Sequence, residues 1–307
     1  MSLLEARGRV IIPPSLDEKT LLEYIRDADA LVIRAMTRIT RKLMEAGPRL
    51  KVIGRHGIGV DNIDVEAATD LGILVVNTPD APTEPVAEHF VMLSLMLYKN
   101  FPFNKHILED GNWKARMDAP GRELRGRKIG IVGFGRIGRR IAEICVLGFG
   151  CSIVYSDTID GGDRAAALAA RRVPLEQLLA ESDIVSLNVP LLPETRHLIS
   201  TRQIEMMKPS AFLINLCRGP VWDEHAVCEA LKANRIAGAA TDVFETEPAP
   251  PDHPLLQLDH FVATPHSSSA TEEALERMSL VAEDIVAVLD GEEPRWAVNQ
   301  VGARLAS

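Results

Sequence analysis

The run Lys128-Ile129-Gly130-Ile131-Val132 leads directly into Gly133-Phe134-Gly135-Arg136-Ile137-Gly138, and the residues from Ile137 to Leu147 then read as a helix. An apolar, β-branched strand feeding a glycine-rich turn that opens a helix leaves few ways to fold. Each glycine has its own task. Gly133 permits the tight turn, Gly135 lets the backbone come close to a pyrophosphate, and Gly138 lets the helix pack against the sheet. The helix N-terminus offers amide donors and a positive dipole to the phosphates. Asp157 lies 19 residues beyond Gly138, at the end of the next strand, where a carboxylate accepts the ribose hydroxyls of a dinucleotide. A carboxylate there repels a 2′-phosphate, and Thr158, Ile159 and Asp160 offer no arginine to bind one. The spacing therefore favours NAD over NADP. The bland alternative is a glycine turn without a ligand, since a chain with 21 glycines produces chance matches to GxGxxG.

Around this unit, short β-branched runs alternate with helical segments, the pattern of parallel sheets with crossover helices. Strands are expected at Ala30–Ile33, Lys51–Ile53 and Ile73–Val76, with helices over Arg38–Ala46 and Val65–Leu71 between them. A long helix is expected from Val86 to Leu97, continuing to Glu109 and stopped by Gly111. The second series of strands is Lys128–Val132, Ser152–Tyr155, Ile184–Leu187, Ala211–Asn215, Gly238–Thr241 and Phe261–Ala263, followed by a last helix from Thr271 to Leu289. Runs this apolar fit strands buried on both faces.

Composition closes off other classes. A net charge of −9 argues against a nucleic-acid footprint and against attraction to an anionic membrane surface. No apolar stretch has the length of a membrane span, and the opening MSLLEARGRVIIPP lacks the pattern of a signal peptide. Cys145, Cys151, Cys217 and Cys228 show neither CxxC pairing nor histidines at metal-ligand spacing, so no metal is expected. Reduced thiols in a cytoplasmic protein are the simple reading.

Three more motifs follow in order, each just after an expected strand: Asn215-Leu216-Cys217-Arg218-Gly219, Asp242-Val243-Phe244-Glu245-Thr246-Glu247-Pro248 and Thr264-Pro265-His266. All three fall at the carboxyl edge of a parallel sheet, where such folds bind ligands. Moving a hydride between a hydroxy acid and a nicotinamide needs a base for the hydroxyl proton, and histidine serves in both directions near neutral pH. A neighbouring carboxylate orients the ring and favours the imidazolium. An arginine fork holds a substrate carboxylate and polarises the keto oxygen. Arg218, Glu247 and His266 supply those three parts. Taken singly, Arg218 reads as a surface ion-pair partner, Glu245 and Glu247 as a solvated turn, and His266 as a cap.

With these residues in view, the chain resembles the D-2-hydroxyacid dehydrogenase family along essentially its whole length. The stretches that carry the likeness are GRHGIGVDNID, GRELRGRKIGIVGFGRIGR, NVPLLPET, LINLCRGPVWDE, DVFETEP and TPH. The resemblance implies an α/β protein of two doubly wound parallel-sheet domains, a flavodoxin-like substrate domain and a Rossmann NAD domain. The substrate domain would be discontinuous, residues 1–95 plus 272–307, with the NAD domain at 96–271. Arg218, Glu247 and His266 would be the catalytic residues. Gly133, Gly135, Arg136, Ile137, Gly138, Asp157, Val189, Pro190, Leu216, Cys217 and Asp242 would line the NAD site with Arg218 and His266. Backbone amides around Gly57-Ile58-Gly59, with His56 beside them, would cradle the substrate carboxylate. The resemblance also implies a homodimer joined through the NAD domain, and closure of the cleft to exclude water.

Within the family the likeness is strongest to phosphoglycerate dehydrogenases, through LVIRAMTRIT and RLKVIGRHGIGVDNIDVEAATDLGILVVNTP. On that basis Arg34 and Arg55 would hold a phosphorylated substrate, which needs such donors. The chain departs from the pattern at His56, Ile58, Glu84-Pro85 and Ser267-Ser268-Ser269, and no regulatory domain is expected after Asn299. Reduction of hydroxypyruvate or glyoxylate is the alternative activity. A corepressor-like NAD sensor is another class with the same fold and the same three residues, but this chain lacks extended recruiting tails. A formate dehydrogenase fits less well, because its pattern replaces the glutamate found at Glu247.

Overall fold

The β-branched runs form parallel strands in a computed structural model that describes residues 2–34 and 37–301. Ala35 and Met36, inside the LVIRAMTRIT run, and residues 302–307 lie outside the described residues. The chain divides into two compact units, Met1–Pro82 with Thr271–Ser307, and Thr83–Ala270.

The larger unit is built on seven parallel strands in the order β10-β9-β8-β7-β4-β5-β6. They are β4 (Lys128–Val132), β5 (Ser152–Ser156), β6 (Arg171–Arg172), β7 (Ile184–Leu187), β8 (Phe212–Asn215), β9 (Gly238–Thr241) and β10 (Phe261–Ala263). Successive side chains along a strand point to opposite faces, and the apolar contacts sort accordingly. Ile129, Ile131, Ile153, Tyr155, Phe212, Ile214 and Ala240 join one cluster, with Phe90 and Leu93 of the Thr83–Tyr98 helix and Ile141 and Cys145 of the Arg136–Phe149 helix. Val132, Val154, Val185, Leu187, Leu213 and Ala239 join the other, with Leu178, Leu179, Val227 and Trp222. Burial on both faces explains why the inner positions of every strand but the two-residue β6 are apolar apart from Ser186 and the Tyr155 hydroxyl. Each such Val, Ile or Leu contributes about 1.5–3 kcal/mol when removed from water. Strand order reverses between β4 and β7, and the crevice beyond their carboxyl ends is where a doubly wound sheet takes a ligand.

The smaller unit holds three parallel strands, β1 (Ala30–Ile33), β2 (Val52–Arg55) and β3 (Leu74–Val76), in the order β1-β2-β3. This sheet does not reverse its order among the described residues, so the double winding is carried by the larger sheet. The C-terminal part of the chain belongs to the smaller unit. A Cβ at Gly54 would lie 2.3 Å from Ile285 Cδ1, so the Val281–Leu289 helix seats Ile285 directly against β2, where a side chain would force Ile285 to move. Val298 N donates to Val75 O at 2.8 Å, and Val75 N donates to Asn299 Oδ1 at 2.7 Å.

Four local expectations differ from the structure. The helix expected to run unbroken to Glu109 ends at Tyr98, and Phe101–Glu109 is a separate helix. Asn100, at φ +48°, takes the left-handed conformation that asparagine tolerates, and its Nδ2 donates to Ala119 O at 3.0 Å. The helix expected over Arg38–Ala46 is only Arg41–Glu45, because Thr40 caps it by accepting the Leu43 amide at 3.3 Å and Ile39 bridges Ile63 instead. The last helix is two stretches, Glu272–Ser279 and Val281–Leu289, with helical backbone at Leu280 between them. β6 is additional to the expected strands, since a strand of two arginines has no apolar pattern to read. Among the described residues no helix is long and apolar enough to cross a membrane.

Candidate active site

The turn after β4 has the geometry its glycines suggest. Gly133 sits at φ +90°, and a Cβ there would lie 2.5 Å from Asn188 O and 2.9 Å from Val189 Cγ1, on the loop after β7. A Cβ at Gly138 would lie 2.2 Å from Gly133 O, which fixes how tightly the helix closes on the turn. At Gly135 the same test meets nothing within 4 Å, so the turn is open at this residue. Gly135 is the N-cap of the Arg136–Phe149 helix, so the amides of Arg136, Ile137 and Gly138 form its first turn. Asp157, just past β5, accepts the Phe134 amide at 2.6 Å through Oδ2 and the Ile159 amide at 2.9 Å through Oδ1. An open glycine cradle, a helix N-terminus and this carboxylate fit a dinucleotide.

The three later motifs lie at the carboxyl ends of β8, β9 and β10. His266 Nδ1 is 2.7 Å from Glu247 Oε2. Burial alone would raise the Glu247 carboxyl, but the hydrogen bond from His266 and that from the Phe244 amide hold it below its ordinary 4.5, aided by the charge of Arg218. The Phe244 amide reaches Glu247 Oε1 at 3.0 Å. His266 is held at φ +52°, with its amide donating to Asp242 O at 2.8 Å. Such left-handed backbone is costly for histidine and persists only where the surroundings fix it. Arg218 follows β8, and Gly219 after it is where the first two motifs meet. A Cβ at Gly219 would lie 1.9 Å from Phe244 C and 2.3 Å from Glu245 N.

Asp242 is fully buried and spends its carboxylate on the neighbouring turn. Its Oδ1 accepts from Thr264 Oγ1 at 2.5 Å and from the Ser267 amide at 2.8 Å, while Oδ2 accepts the Ser268 amide at 2.8 Å. The serine run uses its main chain for this, so the departure at Ser267-Ser268-Ser269 leaves the turn after His266 intact. Leu216 is buried beneath the turn. Cys217 donates its amide to Asn215 Oδ1 at 3.1 Å, and burial pushes its thiol up to about 11, leaving it protonated near neutral pH. Among the described residues no group of three His, Cys, Asp or Glu side chains could hold a metal.

In the smaller unit, Arg34 follows β1, and Arg55 ends β2 and leads into His56-Gly57-Ile58-Gly59. Arg55 turns back on this loop, donating from Nε to Gly59 O at 2.7 Å and from Nη1 to His56 O. Gly57, at φ +130°, donates its amide to Thr78 Oγ1 at 3.1 Å, and Asn77 Nδ2 donates to Ile58 O at 2.9 Å. Burial, then the charges of Arg34 and Arg55, lower the pKa of His56.

Several residues organise these sites in roles that the sequence does not assign them. Asn215, fully buried, donates to Arg218 O at 2.9 Å while accepting from Cys217, and so shapes the turn that carries Arg218. His89 Nε2 lies 2.9 Å from Thr264 Oγ1. Because Thr264 gives its proton to Asp242, His89 must donate, and burial lowers its pKa toward the neutral form. Glu84, out of place against the family pattern, forms two contacts with Arg140, at 2.6 and 2.8 Å, joining the Thr83–Tyr98 helix to the Arg136–Phe149 helix.

Residues 91–268 match the NAD binding domain of the D-isomer specific 2-hydroxyacid dehydrogenases. A D-3-phosphoglycerate dehydrogenase of Methanocaldococcus jannaschii is 44% identical over 301 residues, 97% of this chain; the chain spans 57% of that relative's length. A glyoxylate reductase of Korarchaeum cryptofilum is 43% identical over 292 residues, 94% of this chain and 87% of the relative. The structure of an Aquifex aeolicus D-lactate dehydrogenase complexed with NAD and lactic acid superposes with a TM-score of 0.82 at 30% identity, covering 88% of this chain and 86% of that one. The chain belongs to the family of NAD-dependent D-isomer specific 2-hydroxyacid dehydrogenases. Its cofactor is NAD, and its larger unit is a Rossmann domain.

Proposed function

We propose that the chain interconverts a small D-2-hydroxy acid and its 2-keto acid, and that the acid is unphosphorylated, of the size of glyoxylate or hydroxypyruvate. The observation that carries the reaction is the 2.7 Å contact between His266 Nδ1 and Glu247 Oε2. With Nδ1 tied to a carboxylate, Nε2 is the nitrogen that exchanges a proton with the substrate oxygen. NAD, held by the Gly133–Gly138 turn and Asp157, would supply the hydride acceptor for C2 in oxidation and, as NADH, the hydride donor in reduction. In oxidation His266 takes the hydroxyl proton as the C2–O bond becomes a carbonyl; in reduction it gives that proton to the forming alkoxide. Glu247 orients the ring and stabilises the imidazolium, and Arg218 holds the substrate carboxylate and polarises the keto oxygen. The amides of the His56–Gly59 loop take part in substrate binding.

The choice of an unphosphorylated acid rests on Arg55, whose guanidinium binds two carbonyls of its own loop. An arginine in that arrangement shapes the loop and is poorly placed to bind a phosphate. The second reading, a phosphorylated hydroxy acid, draws on the exposed Arg34 near His56 and on the Methanocaldococcus relative. We further infer a cytoplasmic homodimer, the exposed apolar side chains Phe101, Leu108, Trp113 and Met117 supporting an interface on this stretch; light scattering at the monomer mass would contradict it. The reaction is tested by supplying NAD with D- and L-glycerate separately. NADH formation from the D isomer alone is expected, and formation from the L isomer alone would overturn the assignment.

A further inference from the structure

The corner that meets the adenosine ribose contains a cation that its own turn does not encode. Thr158, Ile159 and Asp160 include no arginine, yet β6 pairs with β5 and lays Arg172 along that turn. Arg172 donates to Asp157 O from Nε at 3.2 Å and from Nη2 at 2.7 Å, and Nη2 also reaches Thr158 O at 2.9 Å. Its Nη1 lies 3.8 Å from Asp160 Oδ2, too long for a good hydrogen bond. The carbonyl and the carboxylate of one aspartate are separated by no more than roughly 5 Å of covalent structure. The guanidinium therefore stands within a side-chain length of the carboxylate to which the glycine fingerprint gives the ribose hydroxyls. That same carboxylate is bound to the Phe134 and Ile159 amides, so the glycine turn, the ribose corner and Arg172 are joined in one hydrogen-bonded unit.

We propose that Arg172 is the second half of the cofactor-selectivity device. In the present chain it is a positioning residue that fixes the ribose corner; with the Asp157 carboxylate removed it becomes the phosphate-binding group for a 2′-phosphorylated dinucleotide. The physical argument is one of opposed charges. A carboxylate at the ribose repels a dianionic phosphate, whereas a guanidinium offers it a planar fork of donors. The negative charge of Asp157 disfavours the phosphorylated cofactor, while Nη1 of Arg172, whose 3.8 Å contact with Asp160 Oδ2 is too long for a good hydrogen bond, keeps donors for a phosphate beside the carbonyl contacts that hold the guanidinium in place. This rests on NAD binding as a family property and not on the proposed substrate.

The test is direct binding of NADH and NADPH, followed by nicotinamide fluorescence, to the wild-type chain, Asp157→Ser, Arg172→Ala and the double variant. Asp157→Ser is expected to tighten NADPH about tenfold relative to NADH, the equivalent of about 1.4 kcal/mol. The double variant is expected to lose that gain while its NADH affinity changes about as in Asp157→Ser. Arg172→Lys in the Asp157→Ser background, which keeps the charge without the fork, should retain part of the gain and guards against a fold lost to the alanine. Equal NADPH affinity in Asp157→Ser and the double variant would overturn the proposal. So would equal weakening of both nucleotides when Arg172 is replaced in the Asp157→Ser background, where no carboxylate remains to be positioned, since that is the signature of a merely structural arginine.

Discussion

His266 and Glu247 divide one task between them, and their substitutions separate the parts. His266→Ala should lower kcat by about 10²–10⁴-fold, the usual contribution of a positioned acid–base group, while NADH fluorescence titration shows nearly unchanged binding. Undiminished turnover would assign the proton transfer elsewhere. Glu247→Gln acts through the ring. Keto-acid reduction consumes a proton from the protonated ring, so activity falls on the alkaline side. Without the carboxylate the imidazolium is less stable, and the alkaline limb of the pH–rate profile should move to lower pH. A limb that stays in place would leave Glu247 with no role toward the proton. Both residues stand out in sequence because each follows an expected strand. Asn215 opens the motif that carries Arg218, but its task of shaping that turn was not legible, because a buried asparagine at a strand end looks like any other polar residue until its two hydrogen bonds are seen.

At the scale of elements, the site depends on loops brought into contact by missing side chains. Gly219→Ala would place a methyl group 1.9 Å from Phe244 C, and main chain cannot yield as a flexible side chain would. Overpacking of this kind costs about 1–3 kcal/mol, and it should separate the Arg218 turn from the Glu247 loop. We expect kcat/KM to fall at least about 100-fold, a 1 Å misplacement in an active site being sufficient for that, with a lower thermal midpoint. Near wild-type kinetics would show that the two loops need no such contact. Six of the seven strands of the larger sheet were legible because burial on both faces writes them as apolar runs. The helix boundaries were not. Asn100 separates two helices through its own left-handed backbone, which no apolar pattern announces. Thr40 caps a helix whose preceding residues, Thr37 to Ile39, are of types that suit either state. β6 has two arginines, no apolar periodicity, and a position defined only by its pairing with β5.

For the whole molecule, acid is the stress to which the fold should respond. Asp183 is held below its ordinary 3.8, burial working against it and the Lys128 amide and Lys208 outweighing that cost. Glu247 is likewise held below 4.5. Carboxyls depressed in the folded state contribute stability that is complete above their unfolded values and is lost as pH falls through the folded ones. Burial holds His56 and His89 below their ordinary 6.5 in the same sense, so the urea midpoint should begin to fall below about pH 6.5 and decline further below about 4.5; a midpoint that rises on acidification would contradict these assignments. The central claim concerns chemistry, and it meets its most direct test in NADH oxidation by the purified chain with glyoxylate, hydroxypyruvate, phosphohydroxypyruvate and pyruvate. The account predicts turnover, with kcat/KM highest for glyoxylate or hydroxypyruvate. Tight NADH binding with no turnover on any of the four would contradict it.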